Sequence, residues 1–172
     1  MLDKKTIFTA YCLNSLNIFP MELDTTDRSL LRCLQEDGKQ TTKALALRHN
    51  LSATAVYERI KRLEKQGFIT RYAALLDPAS VGRGHKVFCQ VKLDQHIKPH
   101  VLEFEREVQQ LEEVLSCYHL GGDYDYMLEI RVADMEAYRE FLVGKLTAIA
   151  SVGSTRSSFV ISQVKHTTII PV

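Results

Sequence analysis

The sequence has no cysteines paired for a metal or a disulfide staple. Its four cysteines, Cys12, Cys33, Cys89 and Cys117, are widely spaced. No C-x-x-C pair and no Cys/His cluster accompanies them, which argues against a zinc site. Cys89 and Cys117 sit in apolar, strand-like runs, where a reduced cysteine serves as a small core residue. Unpaired thiols fit a reducing compartment, so the expectation is a cytoplasmic protein. No run is long and apolar enough to span a bilayer. Residues 1–20, MLDKKTIFTAYCLNSLNIFP, loosely mimic a secretory leader. Asn14, Ser15 and Asn17 interrupt the run, and no small-x-small cleavage site follows. Residues 1–22 read as an N-terminal extension outside the main fold. Catalytic machinery is scarce too: no nucleophile–base pair, metal spacing or phosphate loop is present. His119 with Asp123 and Asp125 is the only cluster resembling acid–base equipment. Strand alternation puts Tyr118 and Leu120 on the other face from His119, so no convergent site is expected. The expectation is a protein that is not an enzyme and carries neither cofactor nor metal.

Charge of one sign is also in short supply. The net formal charge is +1, with 25% charged and 45% hydrophobic residues. This is ordinary for a globular chain that folds without staples. The distribution is more informative. Residues 1–80 carry 12 Lys and Arg against 9 Asp and Glu, and residues 81–172 carry 10 against 12. A mildly basic half followed by a mildly acidic one fits a DNA-contacting part and a part with another task.

Residues 41–67, TTKALALRHNLSATAVYERIKRLEKQG, organise the first half. A preceding helix is expected over LLRCLQEDG, with N-cap candidates between Leu23 and Asp27 and a stop at Gly38. Thr41 or Thr42 then caps a second helix, KALALRHN, with Leu45 inward. Asn50 is suited to the left-handed turn that ends it. Ser52 caps a third helix, in which Val56, Ile60 and Leu63 form one apolar stripe. Thr54, Glu58, Lys61, Arg62 and Lys65 point away from that stripe, Ala55 and Arg59 flank it on one side and Tyr57 on the other, and Gly67 ends the helix. FITRYAALLD is expected to form two short strands, the wing of a winged helix, with Arg71 near the tip. Helix, tight turn, helix and wing suit the DNA major groove. Lys61, Arg62, Lys65 and Arg71 would neutralise phosphates. Ser52, Thr54 and Tyr57 lie at the end that approaches base edges, and Arg59 could reach a guanine edge or a phosphate. Glu58 would face a base amine or pair with Arg62 one turn on.

A turn-rich border follows at 77–85, where Arg83 between two glycines suggests a hinge. Beyond it the pattern is strand 86–93, helix 100–113, strand 114–120, strand 124–132, helix 135–149 and strand 157–166, with TTIIPV as a further edge strand. That order is the ferredoxin-like βαββαβ unit, with both helices on one sheet face. Phe88, Tyr118, Met127 and Val160 are expected on the bare face, which would serve dimerisation.

Four stretches, LDTTDRSLLRCLQEDGK, LSATAVYERIKRLEKQGFI, GGDYDYML and STRSSFVISQVK, together resemble the Lrp/AsnC family of leucine- and asparagine-responsive regulators. The resemblance runs from about Leu23 to Lys165. It implies an α+β chain: a winged helix-turn-helix DNA-binding domain over 23–76, a linker over 77–85, and a ferredoxin-like effector-binding and oligomerisation domain over 86–172. It also implies a transcriptional regulator that binds double-stranded DNA, assembles as homodimers and often octamers, and answers to a small effector such as an amino acid. In the family the effector sits between dimers. The matching positions here are Leu120, Gly121, Gly122, Asp123, Tyr124, Asp125, Met135, Ser158, Phe159 and Val160. Backbone N–H groups at Gly121 and Gly122 would hold a carboxylate. Asp125 would hold the ammonium, and Met135 and Phe159 would line an apolar pocket. The competing expectation is an amino-acid-sensing oligomer without DNA-binding activity.

Overall fold

A computed structural model describes residues 22–172; the N-terminal extension lies almost wholly outside the described residues. The chain divides into two compact units. One holds the residues up to Ala73 together with Thr167–Val172, and the other is Ala74–His166.

The first unit is built on three helices: α1 (Thr25–Glu36), α2 (Thr42–His49) and α3 (Ala53–Lys65). Each start is fixed by a short polar side chain that satisfies an otherwise orphaned amide. Asp24 accepts from the Asp27 N–H at 2.7 Å, Thr41 from Ala44 and Ser52 from Ala55, both at 3.1 Å. Asn50 sits in the left-handed region, with φ 53°, and makes the tight turn between α2 and α3. Gly67, with φ 80°, closes α3. There the Phe68 N–H reaches the Leu63 carbonyl and the Gly67 N–H the Glu64 carbonyl, a paired ending that needs a left-handed residue. Gly38 plays no such part: α1 ends at Glu36 with Asp37 extended. Leu30, Cys33, Leu45, Ala46 and Val56 form the core, with Leu34, Leu51 and Ile60 against it.

The expected wing strands are not formed within the described residues: 68–77 contains no paired strand. Two-stranded pairing needs a register that a turn can close, and TRYAALLD offers no glycine or asparagine at its centre. Tyr72 instead donates its hydroxyl to Glu64 at 3.1 Å. The turn-rich border at 77–83 is internally hydrogen-bonded. Asp77 accepts from the Ala79 and Ser80 amides, and the Arg83 N–H bonds the Pro78 carbonyl at 2.7 Å.

The second unit is a four-stranded antiparallel sheet in the order β2-β3-β1-β4, formed by β1 (His85–Leu93), β2 (Val114–His119), β3 (Tyr126–Val132) and β4 (Val152–Phe159). Helices α4 (Lys98–Val108) and α5 (Met135–Phe141) supply the crossovers, and α5 runs on into a π-helical turn over Leu142–Leu146. Strand alternation sends Val87, Cys89, Val91 and Leu93 of β1 and Tyr126, Leu128, Ile130 and Val132 of β3 into one core. Phe104, Val108, Tyr138, Phe141, Leu146 and Ile149 cover that face. The expected element order and the inward sides of both central strands and both helices match.

Three expectations change. The last strand lies at 152–159 rather than 157–166. As an edge strand, VGSTRSSF pairs only with β1 and carries few apolar residues, while the apolar FVI that drew the boundary later sits at its end. Gly153 makes the entry to that strand possible, because a Cβ there would lie 2.9 Å from the Asp94 backbone. TTIIPV adds no edge strand and belongs to the first unit. The uncovered sheet face is not a bare apolar one. Phe88, Tyr118 and Met127 share it with Gln90 and Arg156, and Lys86 pairs with Glu129 at 2.7 Å. Val160 lies past β4, where its N–H adds one bond to the Lys86 carbonyl.

Candidate nucleic-acid interface and ligand turn

The geometry of α3 is set from its inner side. Asp27, on the first turn of α1, is 3% exposed and carries an ionisable carboxylate into the helix junction. An isolated buried carboxylate is costly unless paired. Here Arg59 donates to one Asp27 oxygen at 2.8 Å and Arg62 to the other at 2.6 Å. Arg59 also reaches Asp24 at 2.6 Å. The bond from the Asp27 amide, reinforced by Arg59, holds the Asp24 carboxyl below its ordinary range, and the two carboxylates raise Arg59 in return. Two acids three residues apart at the start of α1, one capping it and one in its first turn, thus meet two arginines three residues apart on α3.

The outer side of α3 is open. Ser52, Thr54, Tyr57, Glu58, Lys61, Arg62 and Lys65 are exposed, Ala55 and Arg59 are half-buried, and Arg71 is exposed beyond the helix. Lys61 pairs with Glu64 at 2.9 Å and stands 5.8 Å from the Tyr57 ring centre, which fixes its ammonium over the helix surface. Its pKa is raised by Glu64, whose own is lowered by Lys61. Glu58, Lys61, Arg62, Lys65 and Gln66 line an open groove of about 470 Å³.

Two expected contacts differ. Arg59, expected at a guanine edge or a phosphate, is bonded to two carboxylates of its own chain. Arg62 pairs with Asp27 rather than with Glu58, while its side chain stays 46% exposed. Sequence reasoning gives Asp24 and Asp27 only as helix-cap candidates and misses the acid half of this brace. The matching i, i+3 spacings of Asp24/Asp27 and Arg59/Arg62 were the available signal.

The expected effector residues fall in two places. Leu120, Gly121, Gly122, Asp123, Tyr124 and Asp125 form the loop between β2 and β3, closed by the Leu120 N–H on the Asp125 carbonyl at 2.7 Å. Gly121 and Gly122 are exposed, and within the described residues their N–H groups have no hydrogen-bond partner. Asp125 is already engaged. One oxygen accepts from the Leu93 N–H at 2.8 Å and the other lies 3.1 Å from His96 Nδ1, so it fastens β1 to the loop. An ammonium would share the carboxylate with these two groups. Met135 and Phe159, each about half exposed, lie toward the other end of the sheet, with Val160 just beyond. Phe159 pairs with Val87, which pairs with Ile130 of β3, five residues beyond Asp125. At the rise of an extended chain this puts about 17 Å between the two groups along the strands. Ser158, opposite Phe88, points to the other sheet face from Phe159. His119 stacks on Tyr126 and lies 3.9 Å from Glu105, while Asp125 turns to His96, so the His119, Asp123 and Asp125 cluster does not converge. Within the described residues no group of three metal-ligating side chains occurs, and no helix is long and apolar enough to cross a membrane.

Residues 23–70 match the family described as winged helix-turn-helix DNA-binding, and residues 86–170 match the Lrp/AsnC ligand binding domain. The leucine-responsive regulatory proteins of Salmonella typhimurium and Escherichia coli are each 40% identical over 145 residues, which is 84% of this chain and 88% of theirs. The chain belongs to the Lrp/AsnC family. A transcriptional regulator from Neisseria meningitidis, solved in complex with L-Met, superposes with a TM-score of 0.84 at 39% identity, covering 87% of this chain and 97% of that one. A feast or famine regulatory protein from M. tuberculosis, solved with L-methionine, gives a TM-score of 0.79 at 32% identity, covering 87% and 99%. Lrp/AsnC membership gives the two units their tasks: the helical one binds DNA in transcriptional regulation, and the sheet unit is the ligand-binding domain.

Two outcomes test the brace. Asp27→Ala should lower unfolding stability by about 2 kcal/mol in urea denaturation, with an unchanged dependence on denaturant, because Arg59 keeps its bond to Asp24 and the half-exposed Arg62 can turn to water. Asp24→Asn keeps the helix cap but removes the charge. Since Asp24 has a lowered value in the fold, its charge stabilises fully well above about pH 4 and stops doing so as pH falls through that lowered value. The stability gap between Asp24→Asn and the parent should therefore be widest near neutral pH and close in acid.

Proposed function

We propose that α3 enters the DNA major groove with Ser52, Thr54, Tyr57 and Glu58 toward base edges. In this reading Lys61, Lys65, Arg71 and the exposed part of Arg62 contact phosphate, and Arg59 serves the brace alone. The observation that carries it is the division of α3 into a carboxylate-clamped inner side and an open, cation-bearing outer side. A helix held rigidly from behind loses little freedom on docking, so more of its contact energy appears as affinity.

The second unit is proposed to take an amino acid and to pass its presence to DNA binding by shifting populations of assembled states. L-methionine is the first ligand to try, given the two relatives solved with it, and L-leucine the second. The two groups of expected ligand residues are too far apart in one chain for one amino acid to touch both. A site that uses both takes the loop from one copy and Met135, Phe159 and Val160 from another. Exposed Leu115, Tyr118 and Val143 on this unit suit such assembly. The assembly is proposed to be a homodimer, with octamers as the higher form. DNA as the partner puts the protein in the cytoplasm.

Affinity for a promoter-length duplex should fall steeply with salt. Lys61→Ala and Lys65→Ala should each reduce the slope of log affinity against log salt by about 1, and Arg59→Ala should leave that slope unchanged while lowering the melting temperature. Equal slopes for all three variants would remove the phosphate assignment. In thermal shift, an amino acid that binds the folded form raises the melting temperature in a concentration-dependent way. L-methionine should do so, and Phe159→Ala should weaken the shift. A flat response to all twenty amino acids would contradict the effector reading.

A further inference from the structure

Ala74–His166 forms one unit, while the residues on either side of it, up to Ala73 and from Thr167, fall in the other. The chain therefore leaves the DNA-binding unit after Ala73 and returns to it at Thr167. At the return the attachment is non-covalent and specific. Arg32 of α1 donates to the Val172 carbonyl oxygen through Nε at 3.0 Å and Nη2 at 2.7 Å. Gln35, one turn further along α1, closes a two-way bond with Ile170. Its Nε2 donates to the Ile170 carbonyl at 3.0 Å, and its Oε1 accepts from the Ile170 N–H at 2.7 Å.

These bonds read main chain, as a neighbouring strand would. Gln35 satisfies both backbone groups of one residue, and Arg32 adds a charge-assisted pair two residues on. Thr167 shapes the segment in advance, its hydroxyl accepting from the Ile169 N–H at 3.1 Å. Little apolar burial accompanies the contact, since Ile169 and Ile170 remain 44% and 68% exposed. The attachment is polar, superficial and therefore reversible.

We infer that the Arg32 and Gln35 side of α1 is a docking site for the chain's own 167–172 segment, and that this strap couples the ligand-binding unit to the DNA-binding unit. With the strap docked, the DNA-binding unit is held at two points. With it released, that unit hangs from the chain after α3 alone and has more orientational freedom to lose on binding DNA. The coupling half rests on the ligand-responsive reading above; the docking half does not.

The test uses the full chain with Arg32→Ala and Gln35→Ala together, neither side chain being buried in the core. Removal of residues 167–172 is the second variant. Amide hydrogen exchange over 167–172 reads docking. Titration of a duplex with two half-sites, with and without L-methionine, reads coupling at matched oligomeric state. In the double variant the Ile170 amide should exchange about tenfold faster than in the parent. Both variants should bind the duplex about fivefold more weakly, and the affinity ratio with and without L-methionine should move toward one. Unchanged exchange in the double variant overturns the docking site, whatever the DNA result. Freed exchange with parental affinity and parental response overturns the coupling. If the parent itself ignores both DNA and L-methionine, the proposed function fails, and the exchange measurement still decides whether α1 holds the segment.

Discussion

A single buried carboxylate sets what the first unit can present. Asp27 is 3% exposed, and its two oxygens are taken by Arg59 and Arg62. An acid in that position is tolerable only when both oxygens are matched, so the fold admits one rotation of α3 about its axis. Turning α3 by one residue, about 100°, would bury a lysine or expose the Val56, Ile60 and Leu63 stripe. The brace and the apolar stripe therefore demand the same orientation from opposite sides of the argument, one by charge and one by burial. What remains outside, Tyr57, Glu58, Lys61 and Lys65, is a surface chosen by exclusion as much as by attraction.

The second unit is limited by a different constraint, the length of its strands. β3 separates the Gly121–Gly122 loop from the Met135 and Phe159 end, and no side chain bridges that distance. In the proposed reading, a ligand that uses both ends lies between copies, which ties the ligand site to assembly. Asp125 illustrates the same economy within one chain: it closes the loop through Leu93 and His96 before any ligand arrives. The Gly121 and Gly122 amides, exposed and without a hydrogen-bond partner among the described residues, are the donors this loop has to offer.

Much of this was legible in the residues. Caps at Thr41 and Ser52, the left-handed Asn50 and the stop at Gly67 are local chemistry, and local chemistry reads well from sequence. The period-2 runs of β1 and β3 were legible for the same reason, since both strands are central and their inward sides are wholly apolar. β4 was misplaced because an edge strand has only one paired neighbour and tolerates serine, threonine and arginine, leaving a weak pattern beside a stronger apolar run. The wing strands expected over 68–77 are not paired among the described residues, and that stretch has no glycine or asparagine at its centre to close a turn. An arginine on a basic helix, such as Arg59, is ambiguous until its partners are known. Its partners, Asp24 and Asp27, lie more than thirty residues away, and long-range pairing is what a linear reading sees least.

The central claim is that α3 reads duplex DNA while held from behind by the Asp27 brace. A structure of the protein on operator DNA tests it most directly. The account predicts the N-terminal half of α3 in the major groove, Lys61 and Lys65 against phosphate, and Arg59 still bonded to Asp24 and Asp27. It would be contradicted by a complex in which α3 lies away from the duplex, or in which Arg59 has left both carboxylates to bind a phosphate.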